Sequence, residues 1–193
     1  MDLRQRLFQY RSYTPIPFLI VMVIFAHPIP AGLIAGGLLI VAGEGIRLWG
    51  VAIAGSETRT TGPVGGTYLI TTGPFAYVRN PLYLGNMMMY VGVGVMSNAL
   101  FPWLPIVALL WFAFQYSMIV SLEEEYLMKA FPQEFAAYRK ATPRFFPTGK
   151  KYRAGSHEQP PLDWQSGLRS EKRTLQAIGI LVVVLVVFWQ LRG

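Results

Sequence analysis

The sequence predicts an all-α fold, a polytopic integral-membrane helical bundle of about five transmembrane helices. Three observations predict it. Of the 193 residues, 53% are hydrophobic and only 14% charged, against roughly 25% charged in soluble domains. Uncharged runs are long enough to cross a bilayer core, which takes about 20 apolar residues per helix. The basic residues that carry the net charge of +7 gather on one side of those runs.

The first uncharged run extends from Ser12 to Gly43 and is broken by His27-Pro28-Ile29-Pro30. Proline lacks an N–H donor and turns the preceding residue away from helix, so the run reads as two arms, a helix over 13–27 and another over 30–55. Glu44 and Arg47 lie within the second arm. Three residues apart, they share a helix face and can pair, as a packing lock or as part of an acceptor cavity. The basic N-terminal stretch ahead of the first arm looks like a signal peptide, but no small-residue cleavage site follows it. From Leu82 to Leu122, 41 residues carry no Asp, Glu, Lys or Arg. They fit two spans, 82–97 and 99–121, with Ser97-Asn98 and Pro102 as the turn. The last run, Thr174 to Leu191, makes a fifth span over 174–191.

With the N-terminus cytoplasmic, 15 Lys and Arg fall on inside segments and one, Arg192, outside. This is a strong positive-inside bias. The charge therefore reads as topology and attraction to anionic lipid headgroups, and a nucleic-acid partner loses its support. The chain has no cysteine and two histidines, His27 and His157. Disulfides, thiolate chemistry and a Cys- or His-rich metal site are excluded. Residues 148–173, rich in Gly, Ser, Pro, Gln and charge, read as a linker.

Three clusters carry chemistry. The segment from Gly62 to Gly85 combines glycines, which permit close backbone approach, with Phe75, Tyr77, Arg79 and Tyr83. Its plainer reading is a juxtamembrane loop with an aromatic belt. Glu123-Glu124-Glu125 follows the long uncharged run. These acids either start a new amphipathic helix, where the N-terminal dipole favours them, or offer a partly desolvated carboxylate to a ligand. The stretch Tyr126–Pro147 suits an amphipathic helix lying on the bilayer, broken at Pro132.

Taken together, the clusters resemble the isoprenylcysteine carboxyl methyltransferase and phospholipid methyltransferase superfamily. That pattern is Arg-His-Pro-x-Tyr-x-Gly, two spans, Glu-Glu, then an aromatic stretch closing in Pro-Arg-Phe-x-Pro. Here it reads Arg79-Asn80-Pro81-Leu82-Tyr83-Leu84-Gly85, the 41-residue run, Glu123-Glu124-Glu125, Phe131 to Tyr138, and Pro143-Arg144-Phe145-Phe146-Pro147. The resemblance implies an integral-membrane methyltransferase that uses S-adenosylmethionine on the cytosolic side, with no metal. It places cofactor contacts on Thr67, Tyr68, Leu69, Ile70, Phe75, Asn80, Pro81, Leu82, Tyr83 and Glu123. Arg79, Tyr83 and Glu124 are the candidate catalytic residues. Tyr83 is the best candidate to face the sulfonium through a cation–π contact, and Glu124 rivals Glu123 for the cofactor.

Three positions depart from the pattern. Asn80 replaces the motif histidine and cannot act as a base at neutral pH. Pro132 replaces a glycine. Ile119 stands where prenylcysteine enzymes carry an arginine for the substrate carboxylate. The resemblance implies a lipid or other lipophilic acceptor, either an isoprenylcysteine-like carboxylate or, with Ile119 in place of the arginine, a phospholipid or small thiol. A reductase of related architecture and a non-catalytic membrane scaffold are the readings from other classes. The organisation expected is an N-terminal helix pair over 1–55, a methyltransferase core over 56–147, and a linker with the last span over 148–193.

Overall fold

The computed structural model describes residues 2–55, 68–153 and 159–192. Among them are seven α-helices and no strand: α1 Leu3–Gln9, α2 Pro15–Ile24, α3 Pro30–Ala54, α4 Pro81–Ser97, α5 Trp103–Ala130, α6 Pro132–Ala141 and α7 Trp164–Arg192. Prolines write most of the starts. Pro15, Pro30, Pro81 and Pro132 each sit in the first turn of a helix, where a missing N–H costs nothing and the fixed φ is already helical. α4 ends at Asn98 in the left-handed conformation, φ 51°, so the turn between the middle spans falls where the sequence puts it.

Three helices, α3, α5 and α7, are long and apolar enough to cross a membrane. α4, expected as a span over 82–97, holds 17 residues, about 26 Å of helix at 1.5 Å per residue. α2 holds 10 residues, about 15 Å of helix at 1.5 Å per residue, against a hydrocarbon core of about 30 Å. It is shorter than the helix expected over 13–27, because Tyr13 and Thr14 still form a turn and Phe25 closes the helix. Two other helices are longer than expected. α5 runs on through the three glutamates to Ala130, since nothing breaks it before Phe131-Pro132. The acids therefore lie in the C-terminal third of a helix, not at the start of a new one, and the N-terminal-dipole reading of them is overturned. α7 begins at Trp164, ten residues before the expected start.

α3 and α4 lie against each other along a seam of glycines. A Cβ on Gly43 would come within 2.7 Å of the Gly85 carbonyl oxygen, and one on Gly92 within 2.7 Å of the Gly36 oxygen. Small residues of this kind let helix backbones approach closely in a membrane. α7 packs on α3, α5 on α4, and α1 and α2 close the bundle against α5 and α4. The core is continuous through Met22, Ile40, Met96, Phe112, Tyr116 and Leu185. At one end of the bundle the His27 N–H donates to the Ser97 carbonyl at 2.8 Å. At the other end the Asp163 N–H donates to Ala52 at 2.7 Å. This second end also gathers the loop before α4, the end of α5 and all of α6.

α6 is amphipathic, as the sequence predicts, but its apolar face has a protein partner. Phe135 and Tyr138 are buried with Leu69, against Leu127, Met128, Phe131 and Tyr152. The helix clamps the loop before α4.

Candidate functional site

Residues some 65 positions apart are stitched together at the basic end of the bundle. The Arg79 N–H donates to the Pro143 carbonyl at 2.9 Å. The Asn80 side-chain amide donates to the Arg144 carbonyl at 3.1 Å. The Tyr138 hydroxyl donates to the Phe75 carbonyl at 2.7 Å, and burial pushes that hydroxyl well above the ordinary tyrosine range. The Gln159 amide donates to Leu69 at 2.9 Å, while its oxygen accepts the Thr71 N–H at 2.8 Å. The segment from Leu69 to Asn80 is thus fixed by backbone and side-chain bonds from three later parts of the chain.

The adjacent glutamates face different partners, because successive residues of a helix point about 100° apart. Glu124 is buried and ion-paired twice. Arg79 reaches its Oε1 at 2.9 Å, and Arg144 its Oε2 at 2.5 Å. Arg79 also donates to the carbonyls of Arg139 and Thr142. Two guanidiniums on one carboxylate, with carbonyl acceptors at the end of α6, make a rigid joint between α4, α5 and α6. Glu123 instead accepts the Tyr83 hydroxyl at 2.7 Å. The Tyr83 ring lies 4.7 Å from that of Tyr116.

A cavity of about 890 Å³ opens beside these groups. Every site residue expected from the sequence and described in the structure lines it. Tyr68, Leu69, Ile70, Phe75, Arg79 and Asn80 come from the loop, and Pro81, Leu82 and Tyr83 from the start of α4. Glu123 and Glu124 come from α5. Thr67 lies outside the described residues. Ile119 is fully buried in the core and is not on the cavity wall.

The cavity also takes in Arg47, of the pair read from the sequence as a packing lock or part of an acceptor cavity, and residues that sequence reasoning passed over. Phe8 and Arg11 come from the N-terminal segment, Arg47 from α3, Asn86 and Tyr90 from α4, and Glu171 and Ile178 from α7. Arg47 donates to Glu171 Oε2 at 2.7 Å and to Asn86. Glu44 lies 3.5 Å from Arg47, behind the wall. Glu171 escaped notice because it sits in the charged run read as linker. The signal for it was helical spacing. Gly167 and Glu171, four apart, continue into Thr174, Ile178, Leu181 and Leu185, the 3.6-residue period of one buried face.

Chemically, the site joins a buried carboxylate, aromatic faces and a side-chain amide at one end to an apolar wall at the other. Its volume falls within the range of small-molecule pockets, about 300–1,000 Å³. Among the described residues no group of three or more His, Cys, Asp or Glu is placed to hold a metal ion.

Comparison with known proteins bears on the same segment. The family described as phospholipid methyltransferase matches residues 31–134. The chain is 37% identical over 111 residues to the cobalt-zinc-cadmium resistance protein CzcN of Cupriavidus metallidurans, over 57% of this chain and 46% of that protein. It is 35% identical over 130 residues to the nickel-cobalt-cadmium resistance protein NccN of Alcaligenes xylosoxydans xylosoxydans, over 66% of this chain and 56% of the relative. The chain spans about half the length of these curated relatives. With more than half of its residues inside the family match, the chain belongs to the phospholipid methyltransferase family.

Proposed function

We propose that this member of the phospholipid methyltransferase family moves a methyl group from S-adenosylmethionine to a lipophilic or amphiphilic acceptor, at the cytosolic end of a membrane bundle. One observation carries the reading. A single cavity gathers all the described residues that the family pattern assigns to the cofactor, and extends from them along apolar helix faces. The concentration of basic residues at that end supports a cytosolic position.

The residues present suit the cofactor. Glu123 offers a carboxylate to its ribose hydroxyls or amino group, oriented by the Tyr83 hydroxyl. The faces of Tyr83 and Phe75 suit a sulfonium, and the loop backbone from Tyr68 to Ile70 suits a flat base. When bound, S-adenosylmethionine supplies an electrophilic methyl whose departure as a neutral thioether needs no acid. The protein's part is alignment and exclusion of water. Tyr83 and Glu123 hold the donor, while the Arg79–Glu124–Arg144 joint holds the start of α4, which carries Tyr83. Arg79 and Glu124 act in this reading as positioning residues.

The resistance proteins named above are relatives over part of their length, and a role in metal tolerance for this chain would act through a methylated membrane component. The test is methyl transfer. The purified protein in lipid nanodiscs, given methyl-labelled S-adenosylmethionine and an extract of its host membrane, is expected to transfer label to an organic-soluble product. No labelled product, from protein that melts cooperatively, would overturn the reading.

A further inference from the structure

Beyond the donor end, the cavity has an inner polar layer that the family pattern does not account for. Arg47, Asn86, Tyr90 and Tyr116 line it, from three helices. Arg47 is locked in place: one terminal nitrogen donates to Asn86, the other to Glu171. Its stem lies over Gly85, where a Cβ would stand 2.6 Å from Arg47 Cγ. Tyr116 is engaged with Asn86 and Tyr90, and its ring abuts Tyr83. Ionisable groups inside spans mark functional pathways by default, and this layer meets the donor end through the Tyr83–Tyr116 contact.

Outward from the layer the wall turns apolar. α2 contributes Ile16 and Leu19, and α7 contributes Ile178 and Leu181. α2 holds 10 residues and α7 holds 29, so the apolar wall is longer on the α7 side.

We propose that this layer is the acceptor subsite, in which Arg47, Asn86, Tyr90 and Tyr116 hold an uncharged hydroxyl- or thiol-type head while its apolar tail lies in the slot between α2 and α7. The inference rests on the methyltransferase reading and specifies its second substrate. The preference for an uncharged head follows from charge. The guanidinium of Arg47 already faces the carboxylates of Glu171 and Glu44. A carboxylate head would enter beside two like charges in a desolvated site, and a buried charge without its own partner costs several kcal/mol. A hydroxyl or thiol meets no such cost. It accepts from an N–H that the five-donor guanidinium still has to give, and from the tyrosine hydroxyls. As its O–C or S–C bond to the methyl forms and the donor's C–S bond breaks, its proton passes to the Glu171 carboxylate, which lines the same cavity beside Arg47.

The test is photolabelling with two 12-carbon probes that carry a diazirine at the tail, one an alcohol and one a carboxylate. They are applied to the full chain in nanodiscs, and adducts are mapped by mass spectrometry. The alcohol is expected to label α2 and α7 about 10-fold more than the carboxylate does, because stranding a charge costs more than one hydrogen bond gains. Dodecanethiol is expected to compete and dodecanoate to fail. Tyr90→Phe, a variant that keeps its ring, and Asn86→Ala are each expected to narrow the difference between heads. Equal labelling by both heads overturns the head assignment, and adducts away from α2 and α7 overturn the subsite. S-adenosylmethionine binding, measured on the same sample by equilibrium dialysis, separates this inference from its premise. Binding without selective labelling sinks the subsite alone, and selective labelling without binding sinks the methyltransferase reading and leaves only a site for an uncharged amphiphile.

Discussion

The Tyr83 hydroxyl donates to Glu123, whereas Glu124 is held by two guanidiniums. Substituting the two neighbours should therefore have separable effects. Glu123→Gln is expected to weaken S-adenosylmethionine binding by about 10-fold or more, the scale of a charge-assisted hydrogen bond, with little change in melting temperature. Glu124→Gln leaves Arg79, whose side chain is 9% exposed, without its counter-charge. Breaking a buried pair costs about 3–5 kcal/mol, so its melting temperature should fall well below that of Glu123→Gln in the same thermal-shift assay. Equal losses of stability would remove the distinction drawn here. At this scale the sequence was readable where residues form a motif, and the described candidate site residues drawn from it all line one cavity. Arg47, Asn86 and Glu171 were not readable as a group. Each comes from a different helix, and only α3 packed on α4 and α7 brings them within hydrogen-bond reach.

Helices α3 and α4 depend on the absence of side chains between them. A Cβ on Gly36 would collide with the Gly92 carbonyl and the Met96 backbone, neither of which can swing aside. Gly36→Leu is expected to cost more than the 1–3 kcal/mol typical of overpacking, seen as loss of cooperative melting in detergent. Gly37→Leu, on the open side of the same helix with nothing within 4 Å, should melt like the wild type. α6 offers a pH test. Burial holds the Tyr138 hydroxyl neutral beyond the ordinary tyrosine range, while the unfolded residue ionises near pH 10. The stabilisation is thus fully present below about pH 10 and is lost as pH rises above it. Tyr138→Phe should lose about 1 kcal/mol at neutral pH, for its bond to Phe75, and should show a shallower alkaline fall in melting temperature. The starts of α2, α3 and α4 were legible because prolines fix them, whereas α5 starts four residues after and α7 ten residues before its expected position. Element ends were less legible. The glutamates and the Glu171 region looked like boundaries because charge is scarce elsewhere in the chain, yet each charged side chain there has a partner or an outlet that lets the helix continue.

At the scale of the whole molecule, the cavity lies between elements that the sequence separates widely. Its walls come from the N-terminal segment, α2, α3, α4, α5, α6 and α7. The bundle class follows from apolar composition and run length, which act on any chain in a bilayer. The cavity does not, since it is what remains where a short α2 and a largely exposed α7 fail to close the bundle. Ala177 lines this gap from α7. Ala177→Trp is expected to slow transfer to long-chain acceptors several-fold while S-adenosylmethionine affinity stays at the wild-type value. A parallel loss of both would mean that α7 shapes the donor end instead. The central claim is that Tyr83 and Glu123 share one bound donor molecule. Equilibrium dialysis of labelled S-adenosylmethionine against the folded protein tests it most directly. The account predicts saturable one-to-one binding that weakens in both Tyr83→Phe and Glu123→Gln. Binding that neither substitution alters, or no saturable binding to a cooperatively folded chain, would contradict it.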